Sequence, residues 1–276
     1  MSAVTHAPEP AQPTVGLLGA TRALARRDLK RAQSMPAVTV QSVVFPAVLL
    51  VTLLAVFGTT VGELDGTSYV QRITPAMIIS GAAFGSLGAV TGLLEDRTSG
   101  FFDRIRLAPF DRPGEHGFTA LALARSVSEH IRVLVATFCI TALGYAFRFR
   151  FEAGPIKALA FFALAMVFGA CFCWIGFALA ARASSMEAVV SPVSGMFLIL
   201  LFLSYGMVPL EAFPGWIQPV VRVAPSSVMM LALQRLSSGG AWVGPVLGAF
   251  AWTIGISAVF GALTIRGLTR STRSPA

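Results

Sequence analysis

Charge is scarce in this sequence. Asp, Glu, Lys and Arg together make up 12% of the 276 residues, about half the share typical of a soluble domain. Too few polar groups are present to cover a water-soluble surface. With 55% hydrophobic residues and a mean hydropathy of +0.74, the chain is read as an all-α polytopic membrane protein. Cysteine is nearly absent. Cys139, Cys171 and Cys173 all lie inside apolar runs, an odd number without metal-ligand partners at a useful spacing. That excludes a disulfide framework and leaves them as small packing residues. The histidines are His6, in the N-terminal tail, and His116 and His130, which flank the start of a span; they form no catalytic cluster. The phosphate-cradling pattern Gly-x-x-x-x-Gly-Lys-[Ser/Thr] is missing, so no nucleotide site is expected in this chain. No cleavable signal peptide is expected either, because residues 1–14 are polar and rich in Pro and Ala.

Acidic residues are the scarcer sign. Against 13 Asp and Glu stand 21 Lys and Arg, for a net charge of +8. The basic residues are spread among hydrophobic segments, so they read as cytoplasmic charge beside anionic lipid rather than as a nucleic-acid surface.

Taken in order, residues 1–14 read as a disordered tail. Residues 15–34 read as an amphipathic interfacial helix. Leu17, Leu18, Leu24, Ala25, Leu29 and Ala32 share one arc, and Arg22, Arg26, Arg27, Lys30 and Arg31 occupy the rest. This pattern predicts a helix in the headgroup plane with its basic side to phosphate. Asp28 is the exception, falling on the apolar side.

Six spans are expected, over about 36–58, 75–94, 128–147, 156–180, 188–205 and 243–265, since about 20 apolar residues cross the hydrocarbon. Pro46 is placed to kink the first. The second carries Gly81 and Gly85, then Gly88 and Gly92, two Gly-x-x-x-Gly pairs that let another helix approach closely. Arg125 and Glu129 form an i,i+4 pair placed at the cytoplasmic edge of the third. An even number of spans puts both termini on one side. If that side is cytoplasmic, about fifteen of the 21 Lys and Arg lie there. The loop with Arg148, Arg150 and Lys157 runs against that rule. Residues 267–276 read as a basic cytoplasmic tail.

Two stretches break the apolar pattern. Glu95 to Arg112 is a charged island between spans. Phe101 and Ile105 are four apart, on one side of a short helix, with Gly100 before that turn and Pro109 after it. Asp103, Arg104 and Arg106 set both signs of charge beside the apolar positions. Such a helix suits a protein partner, and a solvated loop accounts for the composition equally well. The second stretch, Gly206 to Trp242, contains Pro209, Pro214, Pro219 and Pro225, with Phe213 and Trp216 between them. Proline at that density forbids one continuous helix. Short re-entrant helices at the extracellular face are expected before the last span, as a lid or a folded cap.

Together these features resemble the type-2 ABC export permeases of the daunorubicin-resistance kind. The resemblance is carried by Asp96-Arg97, Gly100, Asp103-Arg104 and Pro109 in the charged loop. In the Pro-rich stretch it is carried by Val208-Pro209, Pro214-Gly215-Trp216, Pro225 and Arg235. It covers nearly the whole chain from Ala20 onward, with Gly100-Phe101 where many such permeases have Gly-Thr. The resemblance implies that the charged island is a cytoplasmic coupling helix docking on a separate ATP-binding cassette subunit, through Asp96, Arg97, Gly100, Phe101, Asp103, Arg104, Ile105, Arg106 and Pro109. It implies an extracellular cap built on Pro209, Pro214, Gly215, Trp216 and Pro225. It implies a second permease chain, identical or related, and a bacterial plasma membrane. It implies that ATP and Mg are bound by the partner subunit, with no cofactor in this chain. The substrates implied are amphipathic drugs or cell-envelope lipids. Glycines of the second span, with Ser194 and Ser204, are candidates for the substrate route. A stand-alone secondary transporter or channel needs more mid-membrane charge, and a membrane-embedded enzyme needs paired carboxylates or a His cluster.

Overall fold

The computed structural model describes residues 16–34, 36–58, 69–107, 115–183, 185, 187–204 and 210–271. Among these residues every regular element is helical. The order is α1 (Leu17–Ser34), α2 (Pro36–Phe57), α3 (Tyr69–Thr98), α4 (Phe101–Leu107), α5 (Glu115–Ala146), α6 (Pro155–Ala180) and α7 (Glu187–Phe202). A 3-10 turn (Leu210–Ala212) follows, then α8 (Gln218–Val223), α9 (Pro225–Ser238) and α10 (Val243–Ser271). The tail expected over 1–14, Pro109, Val208, Pro209 and the end of the basic tail lie outside the described residues.

Helix α3 is the central rod, packed by α2, α5, α6 and α9. Of its most apolar stretch 81% is buried, against 22% for α2 and 17% for α10. The last two therefore present most of their surface outward, through side chains such as Val44, Val48, Leu247 and Ile254. A face so apolar must meet lipid or another apolar surface.

Two packing clusters mark the two ends. One gathers Val90, Leu93, Phe102, Ile105, Phe118, Leu121, Phe177 and Val189. The other gathers Leu50, Tyr69, Ile73, Met77, Phe149, Phe161, Leu201, Met229 and Leu233. Helix α7 begins in the first cluster and ends in the second, where Ser227 Oγ donates to the carbonyl of Leu203 at 3.3 Å. Helix α10 returns: a Cβ on its Gly267 would lie 2.9 Å from Ala181, just past the end of α6. Helices α1 and α4 and the C-terminal end of α10 thus share one end, called the charged end below.

Five helices are long and apolar enough to cross a membrane: α2, α3, α5, α6 and α10. Helix α7 has 16 residues, about 24 Å of rise, against a hydrocarbon thickness of about 30 Å. The helix of the second span, expected from residue 75, begins earlier, because α3 starts at Tyr69 and holds Pro75 inside it. Tyr69, Val70 and Ile73 are buried in the second cluster, and their burial carries the helix through the proline. The Pro-rich stretch is broken as expected. Pro219 and Pro225 sit in the first turns of α8 and α9, where a missing N–H leaves no bond unmade. The cysteines fall within packing, with Cys173 in the first cluster and Cys171 Sγ donating to the Thr253 carbonyl at 3.7 Å.

Candidate functional site

The charged end is built around one carboxylate. Asp96, in the last turn of α3, is only 2% exposed. Arg27 of α1 donates to its Oδ1 at 2.6 Å and Arg31 of α1 donates to the same oxygen at 3.3 Å. Arg125 of α5 donates to Oδ2. Arg31 also pairs with Glu95. On the far side of Arg125, Asp28 Oδ2 lies 3.8 Å from Nε. Three arginines thus face three carboxylates, drawn from α1, α3 and α5. A buried charge is tolerated only when paired in this way.

This cluster accounts for Asp28, the acid that falls on the apolar side of α1. That side packs on α5, and Asp28 is buried there beside Arg125. Burial raises its pKa above the ordinary value, while Arg125 pulls in the opposite direction. The expected basic face toward phosphate is corrected for two of its five residues. Arg27 and Arg31 turn to Asp96 and Glu95, because a buried carboxylate holds a guanidinium more firmly than a hydrated headgroup does. Leu18, by contrast, is 86% exposed.

The expected Arg125–Glu129 pair is also corrected. Arg125 goes to Asp96 and Asp28, and Glu129 pairs with Arg132, Nη1 to Oε2 at 3.3 Å. An i,i+4 preference holds for helices in water; here Arg125 finds its partners on neighbouring helices, and Glu129 finds Arg132 at i,i+3 in its own helix. The glycines of α3 make room for these side chains. A Cβ on Gly92 would sit 2.1 Å from Arg125 Nη1, and one on Gly85 would sit 2.7 Å from Glu129 Oε1. Gly81 faces Ile140 of α5 and the Ser42 carbonyl of α2. The space over Gly81, Gly85 and Gly92 is therefore filled by this chain's own α2 and α5.

Helix α4 hangs from this cluster. Gly100 has φ +69, a left-handed turn that glycine adopts without strain. Beyond it the chain reverses into α4. Phe102 and Ile105 point inward, 6% and 3% exposed, with Phe102 edge-on to Phe118 at 5.1 Å between centroids. This corrects the expectation that Ile105 is an exposed anchor. A seven-residue helix packed on α5 buries one side, and Ile105 shares that side with Phe102. Phe101 is half-buried beneath the Arg27 guanidinium, 3.8 Å from the ring centroid. What α4 offers to solvent is Asp103, Arg104 and Leu107, the last 88% exposed. Arg106 belongs to α4, but its side chain lies outside the described residues. Arg97 points away from this surface and donates to the Ala183 carbonyl at 2.8 Å, tying α3 to the turn after α6. Leu107 and the Arg97 contact were missed in the sequence reading. Leu107 was legible as the last large apolar side chain before Pro109. The Arg97 contact, made to a backbone oxygen, carries no sequence signal.

At the opposite end, Pro214 opens the turn into α8, its carbonyl accepting from the Ile217 amide at 3.0 Å. Pro214, Gly215 and Trp216 are exposed, Trp216 at 79%. Pro225 is half-buried at the first position of α9. Ser204 is buried and donates within its own turn to the Leu201 carbonyl at 2.7 Å, while Ser194 is half-buried.

The family profile described as ABC-2 type transporter matches residues 19–236. A probable doxorubicin resistance ABC transporter permease protein, DrrC, of Mycobacterium tuberculosis is 29% identical over 224 residues, covering 79% of this chain and 76% of the relative. A daunorubicin resistance ABC transporter permease protein, DrrB1, of Streptomyces coeruleorubidus is 30% identical over 234 residues, covering 84% and 79%. A putative transport permease, ycf38, of Cyanophora paradoxa is 25% identical over 179 residues, covering 64% and 59%.

Proposed function

The chain belongs to the ABC-2 type transporter family, and from that premise we propose that it is the permease subunit of an ATP-driven exporter of amphipathic compounds. ATP and Mg are bound and ATP is hydrolysed on a separate ATP-binding subunit. The relatives named for doxorubicin and daunorubicin resistance support amphipathic drugs as the substrate class, and cell-envelope lipids share the same chemistry of polar head and apolar body.

Six passes through a bacterial plasma membrane fit the geometry. The five long helices are joined by α7, which leaves the charged end at Val189 and reaches the opposite cluster at Leu201. Six passes put α1 and the end of α10 on one side, and the excess of basic residues there supports a cytoplasmic placement. The proline-broken helices α8 and α9 then face outward as a re-entrant cap. The outward faces of α2 and α10 offer room for a second permease chain.

The observation that carries the coupling reading is α4. It is a short helix with an exposed tip of Asp103, Arg104 and Leu107, mounted on a buried ion cluster that joins three other helices. In this reading Asp103, Arg104 and Leu107 meet the ATPase. Asp96, Arg97, Gly100, Phe101 and Ile105 hold the tip in place. Nucleotide binding shifts α4, and the cluster passes the shift to α1, α3 and α5. The test is Arg104→Glu with Leu107→Ala. Co-purification of the ATP-binding subunit and export of doxorubicin are both expected to fall by tenfold or more, the effect of losing about 1.4 kcal/mol or more at a contact. If docking and export both persist, α4 is not the coupling element.

A further inference from the structure

At the end away from the ion cluster, the start of α3 and the end of α9 enclose a small polar pocket of about 170 Å³. It is lined by Gln71, Arg72, Leu231, Gln234, Arg235 and Ser238. Its neutral donors are already engaged. Gln71 Nε2 donates to the Arg150 carbonyl at 2.9 Å, Gln234 Nε2 to the Arg72 carbonyl at 3.4 Å and Ser238 Oγ to the Gln234 carbonyl at 2.8 Å. Gln71 is 8% exposed and its Oε1 has no hydrogen-bond partner. A buried amide oxygen left so is unfavourable unless a donor arrives.

The backbone beside Arg235 is shaped to the guanidinium. Gly240 has φ +90, and a Cβ there would lie 2.9 Å from Arg235 Nη1. Glu211 acts on Arg72 electrostatically and offsets part of the positive charge. A wider excess remains at this end, where Arg148, Arg150, Lys157 and Arg222 join the two pocket arginines, against Glu152 and Glu211 among the described residues. This is the end at which a membrane protein ordinarily carries few basic residues. Helix C-terminal charge explains the place of Arg235 but not the orphaned Gln71 oxygen.

We propose that this pocket binds the phosphate-bearing headgroup of a membrane lipid. Arg72 and Arg235 grip the phosphate oxygens through their planar forks, and Gln71 Oε1 accepts a hydrogen bond from the headgroup's ammonium or hydroxyl. A lipid is favoured over free phosphate by position. The pocket opens at the start of a span, in the same outer stretch as Trp216 and Trp242, which are 79% and 37% exposed, and tryptophan settles at headgroup depth. The proposal rests on the membrane-spanning reading given above and is independent of the coupling role of α4.

The experiment titrates the full-length permease in detergent with dioctanoyl phosphatidylethanolamine, read by native mass spectrometry. Dioctanoylglycerol and inorganic phosphate are the comparators. The wild type is expected to retain the phospholipid but not dioctanoylglycerol, and equimolar inorganic phosphate is expected not to displace it. Arg72→Gln with Arg235→Gln is expected to weaken binding by about tenfold or more, as the loss of charge-assisted hydrogen bonds requires. Arg148→Gln, which removes one charge from the adjoining loop, is expected to change it less than twofold. Arg72→Lys with Arg235→Lys keeps both charges and guards against misfolding; it is expected to bind better than the Gln pair. Equal binding by wild type and Gln pair overturns the proposal. So does an equal loss in Arg148→Gln, a Lys pair with wild-type melting that binds no better than the Gln pair, retention of dioctanoylglycerol, or displacement by inorganic phosphate. None of these readouts involves the ATP-binding subunit, so a failed lipid site and a failed coupling assignment are told apart.

Discussion

Replacing Asp96 with Asn tests whether one carboxylate holds the charged end together. The substitution keeps the shape and removes the charge. Three arginines lose their common partner, but they do not lose equally. Arg27 and Arg31 have side chains 34% and 32% exposed, so water takes over part of the role, and Arg31 keeps Glu95. Exposed pairs of this kind contribute about 0–1 kcal/mol each. Arg125 is different. Its side chain is 6% exposed, and its remaining partner is Asp28 at 3.8 Å. Removing one member of a buried pair costs about 3–5 kcal/mol. With Asp28 still present, a loss near the lower figure is expected, about 3 kcal/mol. That is roughly a hundredfold in the opening of α1 from α5. The assay is maleimide labelling of Ala25→Cys, a position 8% exposed in α1, with Cys139, Cys171 and Cys173 replaced. The labelling rate should rise by about that factor. Adding Arg125→Gln removes the stranded charge and should restore part of the protection. If Asp96→Asn labels no faster, or if the double variant is as open as the single, the carboxylate is not the keystone described here.

Two further outcomes follow from the same geometry. Gly92→Ala places a Cβ 2.1 Å from Arg125 Nη1, so the guanidinium must leave Asp96. A cost of about 1–3 kcal/mol is expected, read as a lower melting temperature in detergent and faster labelling of Ala25→Cys, whereas Gly195→Ala, with nothing within 4 Å of the new atom, should melt near wild type. Asp28 should behave opposite to Asp96. Its pKa is raised, first by burial, so the folded state favours the neutral acid; its contribution is most favourable below the ordinary value of 3.8 and is lost as pH rises through the raised folded value. Asp28→Asn mimics the neutral form and should remove that part of the pH dependence, leaving stability at pH 7 equal to wild type or higher. Paired thermal melts of the two proteins from pH 4 to pH 7 check this, and a variant markedly less stable than wild type at pH 7 contradicts it.

Five of the six expected spans were legible as long apolar helices, because an apolar run long enough to cross the hydrocarbon leaves few alternatives. The charged island was legible as a short helix because Gly100 and Pro109 bracket it. Its inward side was not. Seven residues cover barely two turns, so periodicity cannot tell Phe102 and Ile105 facing inward from Leu107 facing out. Asp28 was visible as an exception on α1, and the exception was the signal: an acid on an apolar stripe requires a buried cation, and Arg125 is that cation. The glycines of α3 announced close approach, while what approaches, the charged side chains Arg125 and Glu129, was hidden because spacing says nothing about a helix some 30 residues away. The i,i+4 rule misassigned Arg125 for the same reason.

The hydrogen bond from Arg97 to the Ala183 carbonyl has a mechanical consequence. It fastens the pivot beneath α4 to the bend from which α7 departs. In the six-pass reading proposed above, this rod of 16 residues is shorter than the hydrocarbon layer and takes its tilt from its footing rather than from its length. On the proposed coupling reading, the Arg97 bond gives a torque at the tip of α4 a route to α7 that bypasses the glycine-lined seam between α3 and α5.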